Sequence, residues 1–306
     1  MRERSKAVSE HRPLWAYGVL VIGVMGVSFA AIFIKMTAAP ASITAMYRLL
    51  MTALMLAPFA IPGLIRTIRS LSWRDRGLLF LSGVLLATHF IFWIQSLFAT
   101  TVASATIFIA LQPIFALIGA HWLLHDRVGW RAWGFALFAF LGTAVIGWHD
   151  LMHGGSAAIG DLLSVVGVLF AALYMLAGQG LRPRVPALQY NFLVYLVASV
   201  VLALYSALHG DSFTNYQGSD WRVFFLLALV PTILGHTIFN TLLKYLPASV
   251  ISMSIVGEPI GATILAYFIF ADPITWSWLV GALIVLPSVV FFMRTVYQER
   301  RNSVVH

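Results

Sequence analysis

The chain has 306 residues, of which 60% are hydrophobic and 10% charged, and its mean hydropathy is +0.90. No soluble core could bury that much apolar surface, so the composition excludes a soluble globular domain and indicates a membrane protein. The absence of cysteine excludes disulfides and thiolate chemistry. The net charge of +8 comes from residues at the ends of apolar runs and not from a basic patch, so we expect no nucleic-acid partner.

Ten segments have the roughly 20 mostly apolar residues that a membrane-spanning helix needs. These predicted spans, numbered 1 to 10, lie near residues 15–35, 42–62, 77–97, 102–123, 131–148, 159–181, 189–208, 221–243, 248–270 and 276–293. Tails at 1–14 and 294–306 flank them. A signal peptide cleaved near Ala38-Ala39 is an alternative for span 1, but the apolar run exceeds the roughly 7–15 residues of such peptides.

The two halves of the chain carry the same motif at the same spacing. The matched positions are Gln112-Pro113, Asp126 and Trp130 in the first half, and Glu258-Pro259, Asp272 and Trp276 in the second. Upstream matches are Ala103-Ser104, His89 and Tyr47 with Ala248-Ser249, His236 and Tyr190. This pattern predicts an internal duplication, with repeat 1 over 15–148 (spans 1–5) and repeat 2 over 159–293 (spans 6–10).

The basic residues predict the orientation. Of the 19 Lys and Arg residues, all except Lys35, Arg48 and Arg222 lie in the tails or in connections on one side. By the positive-inside rule we expect both termini of a multi-pass membrane protein to face the cytoplasm. Because each repeat has five spans, the second copy must be inverted. The expected fold is an all-α membrane protein of ten transmembrane helices in two inverted repeats, an arrangement typical of secondary transporters.

Four polar side chains fall near the bilayer centre: His89, Gln112, His236 and Glu258. Polar groups at that depth are costly, about 2.5–3.5 kcal/mol when ionised, and usually face a cavity or a partner. We therefore predict a shared substrate site. Helical spacing adds Trp93, Asn240 and Ser254, each four residues from one of these positions, and Tyr47 and Tyr174 could supply further contacts. In the alternative interpretation, the histidines only join neighbouring helices.

Glu258 is the sharpest candidate, because its repeat counterpart Gln112 carries no charge. Pro113 and Pro259 each remove a backbone hydrogen bond beside these residues, which predicts helices broken at the cavity or, as the alternative, an ordinary packing kink. Arg48 lies only about 9 Å from the outer end of span 2, so we expect it to snorkel to the outer headgroups.

One enzyme signature requires comment. His121 and Asp126 form the H-x4-D pattern of some acyltransferases, but the repeat counterpart Asp272 follows Tyr267 rather than a histidine. The duplication explains the acid better than catalysis does, and no nucleotide-binding motif is present. We expect neither an enzyme nor a cofactor nor a metal site.

The repeated motif resembles the drug/metabolite transporter superfamily, specifically its ten-helix members built from two EamA-type repeats. The resemblance rests on Ala103-Ser104, Pro113, Asp126 and Gly134, and on Ala248-Ser249, Pro259, Asp272 and Gly281. The two acids are Asp where the family more often has Glu. Within the superfamily the chain looks most like YddG-type exporters of aromatic amino acids. That likeness implies a central cavity lined by spans 1, 3, 4, 6, 8 and 9, with spans 5 and 10 at the outer ends.

The sequence therefore predicts a secondary-active or facilitative transporter that exports small amphipathic metabolites, first among them aromatic amino acids, by alternating access. A multidrug exporter of lipophilic cations with the same fold is the alternative, and a channel is a distant one, because most mid-span positions are apolar. The expected partners are a small-molecule substrate and the lipid bilayer. Substrate identity, proton coupling, direction in vivo and oligomeric state do not follow from the sequence.

Overall fold

The computed structural model describes residues 14–99, 105, 108–124, 129–146, 148, 158–271 and 274–305. Within these ranges every regular element is a helix and no strand occurs. Both ends of the chain, residues 1–13 and 306, and the motif residues Ala103-Ser104, Asp126 and Asp272 lie outside them.

Ten apolar helices, eight long and two shorter, lie at the predicted spans in the described part of the chain. In the first half they are α1 Leu14–Lys35, α2 Ala41–Ala60, α3 Trp73–Ala99, α4 Phe108–Leu124 and α5 Trp130–Ile146, with a short helix Leu64–Ser70 between α2 and α3. In the second half they are α6 Ala158–Leu181, α7 Ala187–His209, α8 Gly218–Leu242, α9 Ala248–Phe270 and α10 Trp276–Val305. In the described part of the chain eight are long and apolar enough to cross a membrane, whereas α4 and α5 are shorter apolar helices.

Prolines and a glycine mark several helix ends. Pro40 and Pro186 precede the repeat-equivalent helices α2 and α7, with ψ near 149° and 148°. The fixed φ of proline suits the start of a helix, where its missing N–H is not needed. Gly210 ends α7 with φ +74°, the left-handed conformation that glycine adopts at no steric cost.

Three helices are interrupted near their middle. A 3₁₀ turn, Phe108–Leu111, precedes the α-helical part Gln112–Leu124 of α4, and α9 divides into Ala248–Ile255 and Glu258–Phe270. Both interruptions lie immediately before the Gln-Pro and Glu-Pro dipeptides, as predicted. In α8, residues Ala228–Thr237 form a π-helix that contains Pro231. Because proline has no N–H to donate, each irregular stretch follows from the local sequence.

The helix packing repeats itself between the halves. The α3–α6 contact has its counterpart in α8–α1, the α4–α6 contact in α9–α1, and the α3–α7 contact in α8–α2. The pairs α2–α7, α4–α9 and α5–α10 join equivalent helices directly. Each of these contacts therefore joins one repeat to the other, and the two repeats form a single intertwined core.

Two glycines permit close crossings of the helices that line the central cavity described below. A Cβ at Gly26 of α1 would lie 2.9 Å from the carbonyl of Leu234 in α8, and one at Gly167 of α6 would lie 2.9 Å from the amide nitrogen of Trp93 in α3. Gly26 and Gly167 are repeat equivalents, because the matched Phe-Ala-Ala triplets begin three residues after each, at Phe29 and Phe170. Small residues at such positions let membrane helices approach backbone to backbone.

Candidate functional site

A small central cavity, about 40 Å³ in volume, lies where the interrupted helices meet. Its walls come from the six helices named by the resemblance, α1, α3, α4, α6, α8 and α9, together with one residue of α2. The lining residues are Val27, Ala30, Arg48, His89, Phe90, Trp93, Ile109, Gln112, Val168, Ala171, Tyr174, Met175, His236, Phe239, Ile255 and Glu258. The cavity has room for about one water molecule.

The lining is built largely from repeat-equivalent residues. Five pairs face the cavity, each one position from repeat 1 and its counterpart from repeat 2: Val27 and Val168, Ala30 and Ala171, His89 and His236, Ile109 and Ile255, and Gln112 and Glu258. Because both repeats contribute the same positions to its wall, the cavity lies where the two repeats meet. The sequence matches around His89 and Gln112 indicated this, but the six small and aliphatic residues carry no chemical signal of their own.

The two histidines lie close together but in different environments. Their ring centroids are 6.5 Å apart, and Phe90 packs beside both rings. His89 Nδ1 lies 2.9 Å from the carbonyl oxygen of Gly167, so this nitrogen carries the proton and donates. His236 Nδ1 is buried without a hydrogen-bond partner in the described chain. His89 therefore does join neighbouring helices, as the alternative interpretation expected, while His236 retains unused hydrogen-bonding capacity at the cavity.

Gln112 and Glu258 face the cavity from the starts of the second halves of α4 and α9. Gln112 Nε2 lies 3.4 Å from Ser252 Oγ and 3.4 Å from the sulfur of Met175, so its amide has protein partners. Glu258 is 6% exposed, and Ser28 Oγ donates to its backbone carbonyl at 3.4 Å, while its carboxylate makes no hydrogen bond with the described residues. A buried carboxylate without a hydrogen-bond partner is costly, so this group is available to bind a polar group of a ligand.

Aromatic side chains form the rest of the wall. Trp93 lies 6.1 Å from the His89 ring in a stacked arrangement, and its indole Nε1 is a buried donor with no acceptor among the residues described. Tyr174 and Phe239 are 1% and 0% exposed. The wall therefore combines flat apolar faces with a few unpaired polar atoms, which is the usual composition of a small-molecule site.

Three of the nine predicted site residues do not line this cavity. Tyr47 donates its hydroxyl to the carbonyl of Phe213 at 2.6 Å, and Ser254 bonds carbonyls of its own helix. Asn240 donates to Asn191 Oδ1 at 2.7 Å and to Tyr195 at 3.3 Å. The other six, His89, Trp93, Gln112, Tyr174, His236 and Glu258, converge on it.

The expectation for Arg48 was wrong. Its side chain is 0% exposed and reaches the central cavity instead of the outer headgroups. Its Nε donates to Thr232 Oγ1 at 2.7 Å, in the π-helical part of α8, and its guanidinium carbon lies 4.5 Å from the centre of the Phe90 ring. Since an acceptor and an aromatic face are available inward, the guanidinium gains more from them than from reaching the membrane surface.

A second, larger cavity lies at one end of the bundle. It has a volume of about 430 Å³ and is bordered by the start of α2, the end of α3 and the end of α7. Its polar lining includes Gln95, His209 and Asp211, and Asp211 accepts a hydrogen bond from Ser42 at 2.6 Å. This cavity is large enough for a small metabolite, whereas the central one is not. No cluster of three metal-ligating side chains occurs in the ranges that the structure covers.

The helical bundle and its central, partly polar cavity define a multi-pass membrane protein of the transporter class. The chain belongs to the EamA-like transporter family, which matches residues 14–148 and 158–294, one match for each repeat. A solved crystal structure superposes with a TM-score of 0.73 over 94% of this chain and 98% of that chain, at 17% sequence identity, which supports the fold alone. The comparison with curated proteins finds no match.

Proposed function

We propose that the chain exports small amphipathic metabolites across the bacterial inner membrane, with aromatic amino acids as the first candidates, as in the YddG-type proteins that it resembles. The observation that carries this proposal is the composition of the central cavity. It presents aromatic faces from Trp93, Tyr174 and Phe239 beside one cation, Arg48, and one acid, Glu258. An aromatic zwitterion needs a stacking surface and two opposite charges, and this wall contains both.

Alternating access would move the solute past this point. The cavity of about 40 Å³ is much smaller than the roughly 300–1,000 Å³ of a typical ligand pocket, so the repeats must separate before an amino acid can enter. In ten crossings with inverted five-helix repeats, one bundle would rock against the other about the shared site. The cavity of about 430 Å³ at the start of α2 and the ends of α3 and α7 would then be part of the path on that side.

The inverted arrangement has its own test. Reporters fused after α5 and at the C-terminus should lie in opposite compartments, with the C-terminus in the cytoplasm. Reporters in the same compartment would remove the antiparallel pairing, and alternating access about a shared axis with it. The short helices α4 and α5 make this a direct check on the count of ten crossings.

A lipophilic-cation exporter is the second candidate, because Glu258 offers a buried acid to a cation. Arg48 counts against it, since a second positive charge beside the guanidinium would be repelled in a low-dielectric site. A channel is supported less well than a carrier, because the described lining of the central cavity is buried and mainly apolar and offers ions no continuous polar path.

Counterflow into proteoliposomes tests the function directly. Vesicles loaded with unlabelled tryptophan should accumulate labelled tryptophan, and competition by other amino acids and by cationic drugs would rank the substrate classes. We expect Glu258→Gln to reduce the exchange rate at least about tenfold, since it removes a charge-assisted contact, while the purified variant remains folded. Wild-type exchange in that variant would remove Glu258 from the mechanism.

An imposed pH gradient that leaves the wild-type flux unchanged would favour uniport over proton coupling.

A further inference from the structure

Arg48 has more unpaired N–H donors than any other described side chain that lines the central cavity. Its guanidinium is fully buried, and Nε is satisfied by Thr232 at 2.7 Å. Both terminal nitrogens, Nη1 and Nη2, are buried and have no hydrogen-bond partner in the described chain. These two nitrogens carry four of the five N–H donors of the side chain.

No residue that the structure describes compensates those donors. Glu258 lines the same cavity, but no ion pair within 4 Å joins it to Arg48 in the described structure. The centre of the Phe90 ring lies 4.5 Å from the guanidinium carbon and attracts the positive charge. This contact does not supply a hydrogen-bond acceptor for the N–H groups of Nη1 and Nη2. A charged group left unpaired in a water-poor interior is expensive, and such groups in membrane proteins typically mark a substrate path.

The duplication shows how unusual this pair of charges is. Aligning Tyr47 with Tyr190 places Arg48 opposite Asn191, just as Glu258 lies opposite Gln112. Asn191 Oδ1 accepts from Asn240 at 2.7 Å. Each charged residue therefore has an amide as its counterpart in the other repeat, the two charges are of opposite sign, and both point into one cavity. The symmetric framework does not require either charge, so their function lies in the cavity.

We propose that the terminal nitrogens of Arg48 bind the carboxylate of the transported solute, so that the substrate class is carboxylate-bearing amphiphiles, zwitterions first, with Glu258 facing the ammonium group. A planar carboxylate matches the two parallel N–H groups of a guanidinium. The half-helices that begin at Gln112 and Glu258 present their positive ends at the same level, which further favours an anionic group. The proposal deepens the function proposed above and rests on it.

The test compares acids with their amides. Binding to the purified full chain in nanodiscs is measured for L-tryptophan, tryptophanamide and indole-3-propionate, and for leucine and leucinamide. In the wild type, each amino acid should bind about 10- to 100-fold more tightly than its amide. In Arg48→Gln this ratio should fall to about 1, and the amide should bind at least as tightly as it binds the wild type, because the repulsion by the guanidinium is gone; retained amide binding also shows that the variant is folded. Arg48→Lys should retain part of the preference, because it keeps the charge but loses the fork.

Arg222→Gln is the matched control, since it makes the same substitution at an exposed arginine of α8 and should leave the ratio unchanged. Amides that bind the wild type as tightly as the acids would overturn the proposal, as would an Arg48→Gln protein that keeps the full acid preference, or a panel in which no carboxylate binds at all. If leucine shows the Arg48-dependent preference and tryptophan does not, the carboxylate site stands and the assignment to aromatic amino acids fails.

Discussion

Substitution of Gly167 by alanine should destabilise the protein, although alanine is the better helix former. Gly167 lies where α6 crosses α3, and a methyl group there would lie 2.9 Å from Trp93 N and 3.3 Å from the carbonyl oxygen of His89. Ordinary contacts between such atoms lie near 3.5–4.0 Å, so α3 and α6 would have to separate by about 0.6 Å. Backbone atoms cannot rotate away as a flexible side chain could.

The size of the effect follows from two opposing terms. Overpacking a fixed interface costs about 1–3 kcal/mol, and a gap of about 0.5–1 Å loses a quarter to a half of the dispersion energy of each contact that it opens. Alanine recovers about 0.5–1 kcal/mol of helix propensity. We expect a net loss of about 1–2 kcal/mol. Gly134 in α5 has nothing within 4 Å of its virtual Cβ, so Gly134→Ala should be stabilising by about 0.5–1 kcal/mol.

Reversible unfolding of the purified variants in mixed detergent, followed by circular dichroism, measures both free energies. Gly26→Ala is a second arm, since its methyl group would lie 2.9 Å from the carbonyl of Leu234 at the equivalent crossing and should behave like Gly167→Ala. The same sign of change at Gly134 and Gly167 would falsify the geometry, because the close helix crossing is the feature that distinguishes them.

Three further predictions concern polar side chains outside the cavity. Asn240→Leu should reduce stability by about 1–3 kcal/mol in the unfolding assay, because it orphans Asn191, and should leave the Kd for tryptophan unchanged. Arg182→Met should cost about 2–3 kcal/mol there, since this 3% exposed arginine donates to the carbonyls of Asn240 and Thr241 near the end of α8. Burial lowers the pKa of its guanidinium. Arg184→Gln should cost under about 1 kcal/mol, because its 2.8 Å ion pair with Asp75 is half exposed.

The helices could be predicted because length and apolar composition determine where a chain can cross a bilayer. Their ends could not. The helix α3 begins at Trp73, four residues before the predicted start, because Ser72 Oγ accepts a hydrogen bond from Asp75 N at 3.1 Å and caps a polar first turn. At the other end of the chain α10 continues to Val305, past residue 293, since a helix does not stop where hydropathy does.

The site could be predicted only where a residue carries its own signal. Depth and the repeat marked four of the six cavity residues, helical spacing added Trp93, and Tyr174 was named only as a possible contact. Arg48 was misplaced because its acceptor Thr232 lies 184 residues away in the sequence, in another helix. Asn240 was assigned to the face of His236 by α-helical spacing. The π-helical turns that end at Thr237 add about one residue per turn, which rotates the following positions and directs Asn240 to Asn191.

The two cavity charges belong to different repeats. A ligand that contacts both charges therefore favours closure of the repeats and can be transported, whereas a ligand that contacts one charge can bind without being transported. Arg48 lies on α2 of repeat 1, and Glu258 lies on α9 of repeat 2. A ligand shifts a conformational equilibrium only by the difference in its affinity for the two states. A zwitterion that contacts both charges binds best when the repeats are together, so it favours closure, whereas indole-3-propionate or tryptamine meets one charge and gains little from closure. We therefore expect each single-charge analogue to bind more weakly than tryptophan, because it leaves one cavity charge unpaired, and to inhibit tryptophan counterflow at high concentration without being exchanged itself. An analogue exchanged as fast as tryptophan would show that one charge is enough to close the repeats.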